Sequence, residues 1–165
     1  MDAKTPEFEF IRIIDAPQSR VFKAWTDQKE IVQWWGPRGF TNPVCEIDVR
    51  PGGAINIHMR GPDGTVYPMG GRYEKIEAPS LLVFTGSALD LKGKPLFKQL
   101  SVISLSEQGS KTKLMVHLSY SQVKEGAAQH LAGAKIGWNQ MLDKFEEYLA
   151  KGQDRTGNRK AGRVE

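Results

Sequence analysis

Three histidines, one cysteine and a scatter of carboxylates are the groups in this 165-residue chain that could do chemistry. His58 and His117 each alternate with apolar neighbours, as residues of a strand do. Turned inward, either could act as a general base; the expectation is a solvated ring on the outer face of a sheet. His58 has no metal-ligand spacing with His117 or His130. Glu46 and Asp48 stand two apart on one strand face, an arrangement that paired carboxylates use for acid–base work. Their alternation with Cys45, Ile47 and Val49 predicts that this face meets water. Cys45, the single cysteine, cannot form an internal disulfide or a cysteine zinc site, and reads as a small buried hydrophobe. No serine occupies a Gly-x-Ser-x-Gly elbow. Pro51-Gly52-Gly53 lacks the glycine spacing and Lys-Ser/Thr of a phosphate cradle, and reads as a tight turn. Arg50 and Arg72 could meet an acidic ligand group, although arginine on a sheet surface is the commoner case. No catalytic set, metal or cofactor is expected.

The larger signal is apolar. Trp34, Trp35 and Trp138 can form an aromatic wall or gate for a flat ligand, with Trp25 beside them. Met59, Met69, Met115 and Met141 are candidates for an adaptable wall, because methionine fills irregular shapes. Alternation puts Ile55, Ile57 and Met59 on one strand face and Asn56, His58 and Arg60 on the other. Tyr73 could carry a hydroxyl into such a pocket.

These residues must be placed by regular elements. Residues 7–14 read as a strand with imperfect alternation: Phe8 and Phe10 share one face, Ile11 and Ile13 the other. Either both faces are covered or a bulge intervenes. Asp15-Ala16-Pro17 opens a helix carrying Val21, Phe22 and Trp25, with Pro17 suited to the first helical position. Asp27 and Glu30 have capping-box spacing and start a second short helix, which Gly36-Pro37 ends. Five or six strands follow, bounded by Pro51-Gly52-Gly53, Gly61-Pro62-Asp63-Gly64, Ala78-Pro79-Ser80 and residues 107–110. Short turns make successive strands antiparallel neighbours. From about Lys124 to Ala150, Leu131, Ala134, Trp138, Met141, Leu142, Phe145 and Leu149 form one apolar helical stripe. Lys135, Asn139, Asp143, Lys144 and Glu147 occupy its polar face. The order predicts an α+β domain over 1–150. A curved antiparallel sheet of six to seven strands wraps the long C-terminal helix, and two short helices follow the first strand.

Charge and hydropathy narrow the partners. No apolar run reaches the roughly 18 residues that a membrane span needs, and residues 1–10 lack a signal-peptide pattern. A cytoplasmic protein without membrane insertion is the expectation. The net charge of +4 lies mostly in residues 151–165, whose five basic and two acidic side chains sum to +3. That segment reads as a disordered basic tail. The near-neutral remainder argues against nucleic acid, which is usually met by charge on a folded face.

Five motifs then carry a resemblance: Trp34-Trp35-Gly36-Pro37, Val49-Arg50-Pro51-Gly52-Gly53, Pro62-Asp63-Gly64, Gly71-Arg72-Tyr73, and Gly137-Trp138 followed by Leu142 and Phe145. In this order, from Phe8 to Leu149, they resemble the homologues of the activator of the heat-shock protein 90 ATPase, within the START-like helix-grip superfamily. The resemblance implies a helix-grip fold with an apolar cavity, and no single activity. Superfamily members bind lipids, sterols, polyketides or hormones, and some are cyclases or aromatases. The family name comes from a eukaryotic co-chaperone domain.

The expected function is therefore binding of an apolar or aromatic small molecule between sheet and C-terminal helix. The expected contact residues are Trp34, Trp35, Ile57, Met59, Met69, Tyr73, Trp138, Met141 and Leu142. Two alternatives stay open. A cyclase or aromatase would turn a titratable group such as His58, His117 or Glu46 into the cavity. A chaperone-related interaction module would need an exposed docking patch. Homodimerisation also stays open.

Overall fold

Strand-forming runs and tight turns alternate along most of the chain, and in the computed structural model they pair accordingly. The structure describes residues 7–90, 92–125 and 127–162, without the side chains of 129 and 152–162. The strands are β1 (Glu7–Ile14), β2 (Thr41–Ile47), β3 (Ala54–Arg60), β4 (Val66–Glu77), β5 (Leu81–Ala88), β6 (Lys98–Gln108) and β7 (Lys111–Ser121). They form one seven-stranded sheet in the order β1-β7-β6-β5-β4-β3-β2. Every neighbouring pair is antiparallel. Two helices, α1 (Gln18–Thr26) and α2 (Gln28–Trp34), carry the chain from β1 at one edge to β2 at the other. The last element is α3 (Ala128–Gly162). This is the expected α+β helix-grip architecture, with a curved sheet.

Two local features shape that sheet. Register shifts between Thr41 and Val44 in β2, and between Tyr73 and Lys75 in β4, are sites where a bulge adds twist. At Gly71 a Cβ would lie 1.9 Å from the Thr85 carbonyl oxygen, so β4 approaches β5 too closely there for any side chain.

The ambiguity over residues 7–14 resolves to one face. β1 pairs with β7 in unbroken register from Glu7 to Ile14. Phe10 and Ile14 are buried, while Ile11 and Ile13 are 50% and 49% exposed. Inward-facing Arg12 meets the polar side of α3, donating to Asp143 at 2.8 Å, Glu146 at 2.7 Å and Asn139 Oδ1 at 3.1 Å.

The helix starts differ in detail from expectation. Pro17 is the N-cap of α1 and not its first helical residue. Asp27 caps α2, accepting from the Lys29 amide at 2.9 Å. Glu30 does not close a capping box. Its carboxylate, only 8% exposed, takes an ion pair from Arg20 at 2.8 Å, another from Lys23 at 2.9 Å, and a hydrogen bond from the Tyr148 hydroxyl at 2.8 Å. Burial alone would raise the Glu30 pKa; hydrogen bonds from Lys23, Tyr148 and Arg20 outweigh it and hold the carboxyl below its ordinary value.

α3 begins at Ala128, a turn later than the periodicity suggested, and its backbone is helical to Gly162. The expected disordered tail, 151–165, falls mostly outside the described side chains and residues. Trp138, Met141, Leu142, Phe145 and Leu149 are buried, as the stripe requires. The polar face is tied to the rest of the domain, because Asn139, Asp143, Lys144 and Glu147 all bond to other elements, Glu147 while remaining exposed. Among the described residues no helix is long and apolar enough to cross a membrane.

Candidate functional site

The space between α3 and the sheet is filled at one end and open at the other. At the filled end Trp34 lies edge-on to Trp25 and to Phe145, each at 4.7 Å between ring centroids. Trp34 is 0% exposed, and its indole N–H donates to the Ala24 carbonyl at 3.1 Å. At the other end a cavity of about 340 Å³ remains, lined by the α2–β2 connection, β3 to β7 and the first half of α3. That volume lies at the lower end of the roughly 300–1,000 Å³ usual for small-molecule sites.

Trp35 separates the two ends. It is the C-cap of α2, and its ring meets Trp34 at 5.7 Å on one side and Trp138 at 5.9 Å and 77° on the other. Its position is held from α3. The Lys144 ammonium donates to the Gly36 carbonyl at 3.0 Å, Pro37 at 3.3 Å and Trp35 at 3.4 Å. These carbonyls lie at the C-cap of α2 and in the two residues after it, and a cation suits that end of a helix. Burial holds the Lys144 pKa below its ordinary value. Gly36 makes the turn with φ of +93°, and a Cβ there would meet Met59 Sδ at 3.1 Å.

The expected contact residues divide into three groups. Trp35, Met59, Met69, Trp138 and Met141 line the cavity. Trp34 and Leu142 are fully buried in the core and outside that lining. Ile57 and Tyr73 line a separate void of about 10 Å³, no larger than a water molecule, which Met69 and Trp35 also border. Burial pushes the Tyr73 hydroxyl pKa well up, with Cys45 adding to the rise. Met115 faces away from the cavity, on the same side of β7 as His117.

The candidate chemistry of the strands lies elsewhere. His117 meets Glu7 at 3.0 Å on the outer face. His58 is outside the lining, and Glu46 is exposed and accepts from Asn56 at 3.2 Å. Arg50 pairs with Asp48 at 2.7 Å and Arg72 with Glu74 at 3.2 Å, all outside the cavity. Cys45 is half-buried against the core, and burial, with Glu46, raises its thiol pKa. Among the described residues no three His, Cys, Asp or Glu side chains gather to hold a metal ion.

Sequence reasoning missed much of the wall: Phe40, Tyr67, Phe97, Gln99, Tyr120 and His130. His130 was discoverable, since it precedes Ala134 and Trp138 by one and two helical turns and so shares their face. The wall is mostly apolar. Its polar side chains are Ser87, Gln99, Tyr67, Tyr120 and His130, and the described lining contains no Lys, Arg, Asp or Glu. The Gln99 amide donates to Ser101 Oγ at 3.1 Å, and burial pushes the Tyr120 hydroxyl pKa up. Such a wall can shape an apolar molecule and offers it few polar partners.

Comparison with known proteins agrees with this geometry. A structure from Nitrosomonas europaea superposes with a TM-score of 0.77 at 23% identity, covering 93% of this chain and 99% of that one. A solution structure from Arthrobacter aurescens gives 0.75 at 25% identity, covering 88% and 86%. A protein of Silicibacter pomeroyi named for the family of the 90-kDa heat-shock ATPase activator gives 0.74 at 20% identity, covering 89% and 99%. At these identities the likenesses speak to the fold. No curated protein matches the sequence. The family model described as "Activator of Hsp90 ATPase homolog 1-like protein" matches residues 15–150, nearly all of the folded part. The chain belongs to that family.

Proposed function

We propose that the protein binds an apolar small molecule in the cavity between α3 and the sheet. The observation that carries this reading is an open space of about 340 Å³ with a largely apolar wall. A monomeric domain gains stability by filling such space with side chains, so leaving it open has a cost. Trp35, Trp138 and the three methionines Met59, Met69 and Met141 would make the main contacts. Aromatic faces suit flat molecules, and methionine adapts to their edges.

The catalytic alternative has less support. The groups it called on, His58, His117 and Glu46, lie off the cavity.

The test is a thermal-shift screen with flat apolar compounds. A ligand at about a hundred times its Kd adds about 2.7 kcal/mol, a rise of several degrees in a domain of this size. Ala134→Phe, which fills the cavity from α3, should abolish the shift while keeping the fold. Binding that survives Ala134→Phe, or a screen in which nothing stabilises the protein, would refute the proposal.

A further inference from the structure

Two residues, Trp35 and Met69, border both the cavity and the void of about 10 Å³ that Ile57 and Tyr73 line. Trp35 is held fast. Its ring meets Trp25 at 6.4 Å and Phe84 at 6.5 Å, besides Trp34 and Trp138, and Lys144 bonds its carbonyl. Met69 is held differently. On β4 and β5 the cross-strand pairs Met69–Ala88, Gly71–Gly86 and Tyr73–Phe84 follow one another at two-residue steps, and so share one face. The first pair lines the cavity and the last lines the void. The middle pair has no side chains, which leaves a gap in the sheet surface between the two spaces. The Met69 side chain lies over that gap: a Cβ on Gly86 would meet Met69 Sδ at 3.3 Å, Cγ at 3.6 Å and Cε at 3.7 Å.

We infer that the Met69 thioether is a partition that sets the length of the ligand, and that the site is built for a compact apolar molecule and excludes a long acyl chain. This rests on the reading of the cavity as a ligand site. A volume of about 340 Å³ suits a compact occupant. Beyond Met69 a longer molecule meets packed core, since the void is no larger than a water molecule and Ile57 and Tyr73 are each 2% exposed. Extension therefore requires the thioether to leave the glycine pair. The close approach of β4 to β5 forbids a side chain at Gly71, so a neighbouring row must fill the gap. Methionine, unbranched and adaptable, is suited to reach across and do so.

The experiment titrates the full chain by calorimetry with 4-n-alkylphenols from methyl to octyl, a flat ring with a tail of adjustable length. Each methylene that enters apolar contact should raise the affinity about fourfold, until the molecule reaches Met69 and the affinity levels off. Met69→Ala removes the atoms beyond Cβ, so the limit should move out by about three methylenes. Met59→Ala removes the same atoms from a residue that borders the cavity alone, and should leave the limit in place. If Met69→Ala does not fold, Met69→Val, which is shorter and suits a strand, should move the limit in the same direction. A wild-type affinity that climbs through the whole series would overturn the partition and leave the cavity reading intact. So would a limit that truncation of Met69 leaves unmoved, or one that Met59→Ala moves as far. Failure of every member to bind would overturn the cavity reading itself.

Discussion

Replacing Lys144 by methionine isolates the clamp that sets Trp35 against the cavity. The substitution keeps the apolar stem and removes only the ammonium. Of the three carbonyls that Lys144 serves, Trp35 also accepts from Asn42 Nδ2 at 3.1 Å, and Pro37 also accepts from the Phe40 amide at 3.1 Å. The Gly36 carbonyl, bonded to Lys144 at 3.0 Å, is the one that loses its named partner. Hydrogen bonds from a charged donor contribute about 1.5–3 kcal/mol. Burying the ammonium, which lowers its pKa, takes part of that back, so the net loss should be about 1–2 kcal/mol. In a domain of this size that is a fall of about 2–8 °C in Tm. Chemical denaturation followed by circular dichroism measures the loss, and the Trp35 indole signal in an NMR spectrum should shift with it. A Lys144→Met variant as stable as the wild type would mean that desolvation cancels the bonds, and would refute the clamp as a source of stability.

Other sites give sharper local tests. Glu30→Gln should alter the acid limb of the stability profile. Folding holds the Glu30 carboxyl below its ordinary 4.5, so as pH falls the unfolded chain binds that proton first. The associated stability is fully present above that ordinary value and is lost as pH drops through the lowered folded value. Urea titrations between pH 3 and about 6 should show this component in the wild type and not in Glu30→Gln; parallel profiles would count against it. Thr112→Val removes a buried hydroxyl that donates to the Ala16 carbonyl at 2.7 Å, and should cost about 1–3 kcal/mol in urea denaturation. Trp34→Phe should destabilise more than Trp35→Phe, since it empties a fully buried site and orphans the Ala24 carbonyl. Trp35→Phe should be the one that weakens binding of a cavity ligand; the opposite ranking in paired melting and titration experiments would contradict the division of the two tryptophans.

The resolution of the strand pattern shows what kind of information lay in the sequence. Ile55, Ile57 and Met59 face inward as alternation required, because a pleated strand leaves its side chains no other choice. Pro51-Gly52-Gly53 turns with Gly52 at φ of +83°, a conformation that its residue type announces. Over residues 7–14 the pattern was ambiguous, and pairing with β7 decided which isoleucines met water. Glu30 had the right spacing for a local cap, yet Arg20, Lys23 and Tyr148 claimed it.

By itself the sequence determined the element types, their antiparallel succession, the apolar stripe of α3 and, through five ordered motifs, the family. These follow from local rules, in which a residue's neighbours along the chain dictate its conformation. Only the tertiary structure decided which aromatic residues fill the wedge and which border the open space. Adjacent in sequence, Trp34 and Trp35 point to opposite sides of that division. The same holds for His130, whose place on the cavity wall depends on α3 lying against the sheet. Packing sets which atoms lose water, and it depends on surfaces that meet across long stretches of chain.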